Sequence, residues 1–205
     1  MAKFKQKVLQ LAEARIQAIQ KVTVIDRVID ALFLGFFPKS VTPNQITVFR
    51  FVTIPFIIGL LLSAHYTSAA ILFLFSAFSD ALDGALARTT KQITPWGILA
   101  DPLADKLLIG SVGLILISKF LSWQLALVIV IIEVFTVLSA YARYKGKAMP
   151  AKSAGKIKMV FQCFGLIFLF FHVLFGGALW LWLSFVALII GVVFALLSLL
   201  LYKSV

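Results

Sequence analysis

Six stretches of about 20 predominantly apolar residues, near 46–63, 67–86, 98–118, 122–142, 157–175 and 178–202, fill most of the chain beyond residue 45. Each is long enough to cross the hydrocarbon core as a helix, which satisfies its own backbone hydrogen bonds where no water is present. Of the 205 residues 62% are hydrophobic, against about 45–50% in a soluble domain. The predicted fold is an all-α integral membrane protein with about six transmembrane helices in one bundle. Short outer turns at 63–68, 118–122 and 175–177 make consecutive helices antiparallel neighbours.

Residues 1–41 are predicted to form an N-terminal interfacial segment, and 42–205 the transmembrane domain. Leu9, Ala12, Ile16 and Ile19 recur at helical spacing while Lys5, Lys7, Arg15 and Lys21 stay available to water. Val24 to Phe37 carries Asp26, Arg27 and Asp30 and is too short and too charged to cross. No apolar core of leader type follows the basic start, so the spans themselves are expected to direct insertion.

The net charge of +11 follows topology rather than nucleic acid, for which no recognition motif is present. With the N-terminus in the cytoplasm, the basic residues up to Arg50, then Arg88, Lys91 and the run from Arg143 to Lys158, all fall on the inner side. Lys119 is the exception, in an outer loop. Such a face also attracts anionic lipid and phosphate-bearing substrates. Cys163 is the single cysteine, so no intramolecular disulfide forms, and its apolar neighbours favour a buried or lipid-facing thiol.

Four aspartates interrupt this apolar pattern, and carboxylates at membrane depth require compensation. Asp80 and Asp83 are three apart on the second span, with Gly84 and Ala87 continuing along the same side. Gly97, Asp101 and Asp105 repeat every fourth residue on the third. A short inner segment, Thr89 to Trp96, lets both pairs converge at the cytoplasmic end. Converging carboxylates repel unless cations intervene, and an all-oxygen set favours Mg²⁺ or Mn²⁺ over zinc or copper. Gly84 and Ala87 either leave room for a nucleotide or form a helix-packing surface. Arg88 suits a phosphate, or topology alone. At the start of the first span Thr42 is the expected N-cap, with Pro43 in the first helical position and Gln45 completing a capping box. Asn44, Thr47 and Arg50 follow at three-residue intervals, open to a functional role or to capping with a snorkelling arginine.

Together these residues read Asp-x2-Asp-Gly-x2-Ala-Arg-x8-Gly-x3-Asp-x3-Asp, with all eight specified positions filled by Asp80, Asp83, Gly84, Ala87, Arg88, Gly97, Asp101 and Asp105. This resembles the signature of the CDP-alcohol phosphotransferase family, whose members transfer a phosphate-containing group from a CDP-linked donor to an alcohol. The resemblance spans most of the chain. It implies that Asp80, Asp83, Asp101 and Asp105 hold two divalent cations, Mg²⁺ or Mn²⁺, with Asp105 also the general base. It further implies that Gly84, Ala87 and Arg88 meet the CDP moiety. Pro43, Asn44, Thr47 and Arg50 match the family's Pro-Asn-x-x-Thr-x-x-Arg pattern, making Asn44 and Thr47 cytidine-site candidates. The chemistry implied is direct displacement of CMP by the acceptor, driven by positioning and electrostatics.

The run Asp101 to Lys106, with Gly155-Lys156-Ile157-Lys158 and Gln162, resembles bacterial members that use CDP-diacylglycerol and sn-glycerol 3-phosphate. Arg143, Lys152, Lys156 and Lys158 are then acceptor-binding candidates, or an ordinary positive-inside loop. That subfamily often carries Arg-Glu on the fourth span, whereas Ile132 precedes Glu133 here. Phosphatidylglycerol, inositol phosphate or another alcohol are the alternative acceptors. Glu133, in mid-span, is expected to face the polar interior, as a structural partner or an acceptor contact. His65 and His172 lie away from the aspartates and take packing or interfacial roles. The family resemblance also implies a homodimer, and a bacterial-type inner membrane with a cytoplasmic active site is the expected location. An ion-coupled transporter is the rival from another class, and a noncatalytic scaffold requires none of this spacing.

Overall fold

The computed structural model describes residues 42–89, 95–144 and 153–203, so the predicted interfacial segment 1–41 lies outside the described residues. Six helices make up the described chain: α1 (Pro43–Leu62), α2 (Tyr66–Thr89), α3 (Pro95–Phe120), α4 (Trp123–Tyr144), α5 (Ser153–Phe175) and α6 (Ala178–Lys203). They match the six predicted stretches in order and place. Over the described residues α1, Ile157–Phe175 of α5 and Ala178–Leu199 of α6 are long and apolar enough to cross a membrane. Charged residues lie within α2 (Asp80, Asp83 and Arg88) and α3 (Asp101, Asp105 and Lys106).

The helix ends follow local chemistry. At the start of α1 the Thr42 backbone N–H donates to Gln45 Oε1 at 2.9 Å, the Gln45 half of the expected capping box, while Gln45 N–H turns onto the Thr42 backbone carbonyl at 3.0 Å. Its end is a Schellman motif, with His65 N–H on Leu60 O at 2.8 Å, Ala64 N–H on Leu61 O at 3.2 Å, and Ala64 left-handed at φ 59°. The α5–α6 turn needs two left-handed residues, supplied by Gly176 (φ 72°) and Gly177 (φ 91°). His172 Nδ1 lies 2.9 Å from Gly177 O, giving that histidine a role at the turn.

The described residues divide into two compact units, one of 42–51, 75–89 and 95–104, the other of 52–74, 105–144 and 153–203. In the first, Ile46, Leu82, Leu86 and Ala100 are buried beside the polar Thr47, Arg50, Ser76 and Ser79. In the second, α5 and α6 pack along their lengths through Leu166, Leu169, Leu188 and Ala195, with Phe161 stacked on Phe194 and Trp180 against Phe168 and Phe171. Large apolar side chains such as Phe56, Phe75, Phe135 and Trp182 point outward. Polar groups inside and apolar groups outside suit a lipid surrounding.

Candidate active site

The first unit holds most of the signature. Asp80, Asp83, Gly84, Ala87 and Arg88 lie on the second half of α2 at the predicted helical register, and their side chains are outside the described set. Gly97 is buried on the first turn of α3, and Asp101 and Asp105 follow at one-turn intervals, both half-buried. From α1, Asn44 is half-buried, Thr47 is 1% exposed and Arg50 is 0% exposed. Complete burial removes the snorkelling alternative for Arg50, because that role needs a head group in water.

Thr47 and Asp101 meet. The Thr47 hydroxyl donates to Asp101 Oδ1 at 2.6 Å, joining positions 54 residues apart in the chain. Pro43 O lies within reach of the same hydroxyl at 3.2 Å. Nothing in the sequence paired these two residues, because a contact between helices leaves no periodic trace. Buried Ser76 and Ser79, four and one positions before Asp80, were also not anticipated; the Ser79 hydroxyl donates to Ser76 O at 2.7 Å.

The donor set fits hard divalent cations: it is all carboxylate oxygen, and Asp101 is used here as an acceptor, the role that requires its lone pairs. Among the described side chains no three of His, Cys, Asp or Glu gather as a metal cluster, Asp80 and Asp83 standing outside that set.

The second unit holds the basic and acidic groups of the later helices. Lys158 on α5 is 3% exposed, and its ammonium lies 2.6 Å from Glu133 Oε1 and 2.8 Å from Oε2 on α4. Gln162, one turn beyond Lys158, donates from Nε2 to Glu133 Oε1 at 3.0 Å. Glu133 therefore has the basic structural partner that its mid-span position called for. Lys106 on α3 is half-buried and close enough to feel both the Lys158 and Glu133 charges. Of the other acceptor candidates, Lys152 lies outside the described residues, and Arg143 on α4 and Lys156 on α5 have side chains outside the described set.

Residues 40–197 match the CDP-alcohol phosphatidyltransferase family. The chain belongs to that family. Proteins named CDP-diacylglycerol–glycerol-3-phosphate 3-phosphatidyltransferase are among its relatives. The one from Rickettsia typhi is 31% identical over 129 residues, 60% of this chain and 72% of the relative. The Pseudomonas fluorescens relative is 41% identical over 80 residues, covering 38% of this chain and 41% of its own. A third, from Yersinia pestis, is 39% identical over 89 residues, 42% of this chain and 48% of the relative. This phosphatidyltransferase family membership makes the chain a transferase of phospholipid synthesis and accounts for its apolar helices.

Proposed function

We propose that this phosphatidyltransferase moves the phosphatidyl group from CDP-diacylglycerol to sn-glycerol 3-phosphate, releasing CMP and forming phosphatidylglycerophosphate. The observation that carries the acceptor is the shared name of the bacterial relatives, each similar to this chain at 31–41% identity over the matched residues. The eight-position signature on α2 and α3 supports the donor.

Asp80, Asp83, Asp101 and Asp105 hold two divalent cations, Mg²⁺ or Mn²⁺. When bound, such ions neutralise phosphate charge and stabilise the departing CMP. Asp105 takes the proton of the acceptor hydroxyl as its oxygen bonds to the lipid-linked phosphorus, and the bond from that phosphorus to CMP breaks. Asn44, Gly84, Ala87 and Arg88 orient the CDP moiety, Arg88 through its planar fork on phosphate. Arg143, Lys152 and Lys156 attract the acceptor's phosphate. Lys158, the remaining acceptor candidate, contributes from a fixed position against Glu133.

The protein is a homodimer by family resemblance and works in a bacterial inner membrane with its site toward the cytoplasm. Light scattering of the detergent-purified chain reads the dimer. An enzyme releases CMP in detergent, where no sealed compartment exists; an ion-coupled transporter needs vesicles and releases none. Cation-dependent CMP release by the purified chain is the expected result, and ion flux without it would reject the enzymatic reading.

A further inference from the structure

We propose that Thr47 is a positioning residue for the Asp101 carboxylate, serving cation binding rather than cytidine recognition. This rests on the reading of Asp101 as a metal ligand. The bond from Thr42 N–H to Gln45 Oε1 fixes where α1 begins, and with it the face that Thr47 presents. Thr47 is β-branched and 1% exposed, so its χ1 is restricted by its own branching and by its surroundings. Its hydroxyl carries one proton. Pro43 O is 3.2 Å away and Asp101 Oδ1 is 2.6 Å away, and the shorter contact is the charge-assisted one.

With its one proton on Asp101, the hydroxyl donates to a nucleotide base only by leaving the carboxylate. Donating to Oδ1 instead fixes one oxygen of Asp101 and sets the plane in which its remaining lone pairs point. Partners of this kind are worth typically about 10–100-fold in metal affinity. Asn44, half-buried one turn earlier on α1, is left as the nucleotide-facing member of the pair.

The test titrates Mn²⁺ into the full chain in detergent without nucleotide and reads free Mn²⁺ by electron paramagnetic resonance. Thr47→Val is expected to raise the Mn²⁺ Kd about 10–100-fold, whereas Thr47→Ser, which keeps the hydroxyl, retains the wild-type value. In an Asp101→Asn background, Thr47→Val adds no further loss. At saturating Mn²⁺ the KM for CDP-diacylglycerol stays at the wild-type value in Thr47→Val. Unchanged Mn²⁺ affinity in Thr47→Val, with a raised KM for the donor at saturating metal, overturns the proposal in favour of a cytidine contact. A wild-type chain that binds no Mn²⁺ overturns the metal reading itself, and the role of Thr47 with it. Thr47→Ala is a second deletion of the hydroxyl should valine prevent folding. Failure of both to fold makes the hydroxyl a determinant of folding and equally overturns the proposal.

Discussion

Lys158 carries its charge at 3% exposure because both oxygens of Glu133 face its ammonium, while the Gln162 amide donates to the same carboxylate. Removing either member leaves the other buried without its counter-charge, which typically costs about 3–5 kcal/mol. Lys158→Met is therefore expected to lower the thermal unfolding midpoint in detergent more than the double variant Glu133→Leu with Lys158→Met. Equal midpoints would mean that the pair is not coupled. Asp105 carries a different expectation: replacing a general base by an isosteric amide removes a proton acceptor worth about 10²–10⁴-fold in rate. Asp105→Asn should lose that much kcat while its unfolding midpoint stays close to wild type, and retained turnover would reject its proposed role. At this scale the sequence announced the residues and not their partners. Glu133 stood out as costly in mid-span, yet Lys158 and Gln162 are 25 and 29 positions away, and Thr47 lies 54 from Asp101. Periodicity reports which face a residue shares within one helix, and is silent on which helix lies opposite.

Helix boundaries were legible because their signals are local. Thr42, Pro43 and Gln45 start α1 where a capping box belongs, and paired glycines separate α5 from α6. The close approach of α5 and α6 was less visible. A Cβ built on Gly165 falls 2.7 Å from Leu188 Cγ and 3.4 Å from the Leu188 backbone nitrogen, while the Ser184 hydroxyl donates to Gly165 O at 2.8 Å. A methyl group at 165 displaces α6 or forces Leu188 off its rotamer, a cost of about 1–3 kcal/mol. Gly165→Ala should lower the unfolding midpoint, and combined with Leu188→Ala the loss should be smaller than the sum of the two single losses. On α1 a Cβ at Gly59 meets nothing within 4 Å. Gly59→Ala should hold or raise the midpoint, since alanine is the better helix former by about 1 kcal/mol. A larger loss at 59 than at 165 would contradict this account of the α5–α6 contact.

Among the described residues polarity is distributed as lipid demands, with Arg50, Ser76, Lys158 and Ser184 inside and Phe56, Phe135, Leu179 and Trp182 outside. The one basic residue that broke the charge asymmetry, Lys119, is held on the Tyr66 hydroxyl at 2.6 Å and lies over the Tyr66 and Phe120 rings. Lysine and tyrosine so placed suit the interface at the outer end of α2 and α3. In a Cys163→Ser background, Ser63→Cys and Ser118→Cys should react with an impermeant maleimide from the outer side of intact cells. Thr90→Cys should react only after permeabilisation, and the reverse pattern would invert the topology. The number and order of the helices among the described residues could be read from hydropathy alone, whereas the acceptor could not, because basic residues serve topology and phosphate binding alike. Product analysis by mass spectrometry of the purified chain, given CDP-diacylglycerol and a panel of acceptors with Mg²⁺, Mn²⁺ or a chelator, separates the two. Phosphatidylglycerophosphate and stoichiometric CMP are expected with sn-glycerol 3-phosphate and a divalent cation, and neither with chelator. No lipid phosphate product from sn-glycerol 3-phosphate, alongside transfer to phosphatidylglycerol or an inositol phosphate, would contradict the assignment.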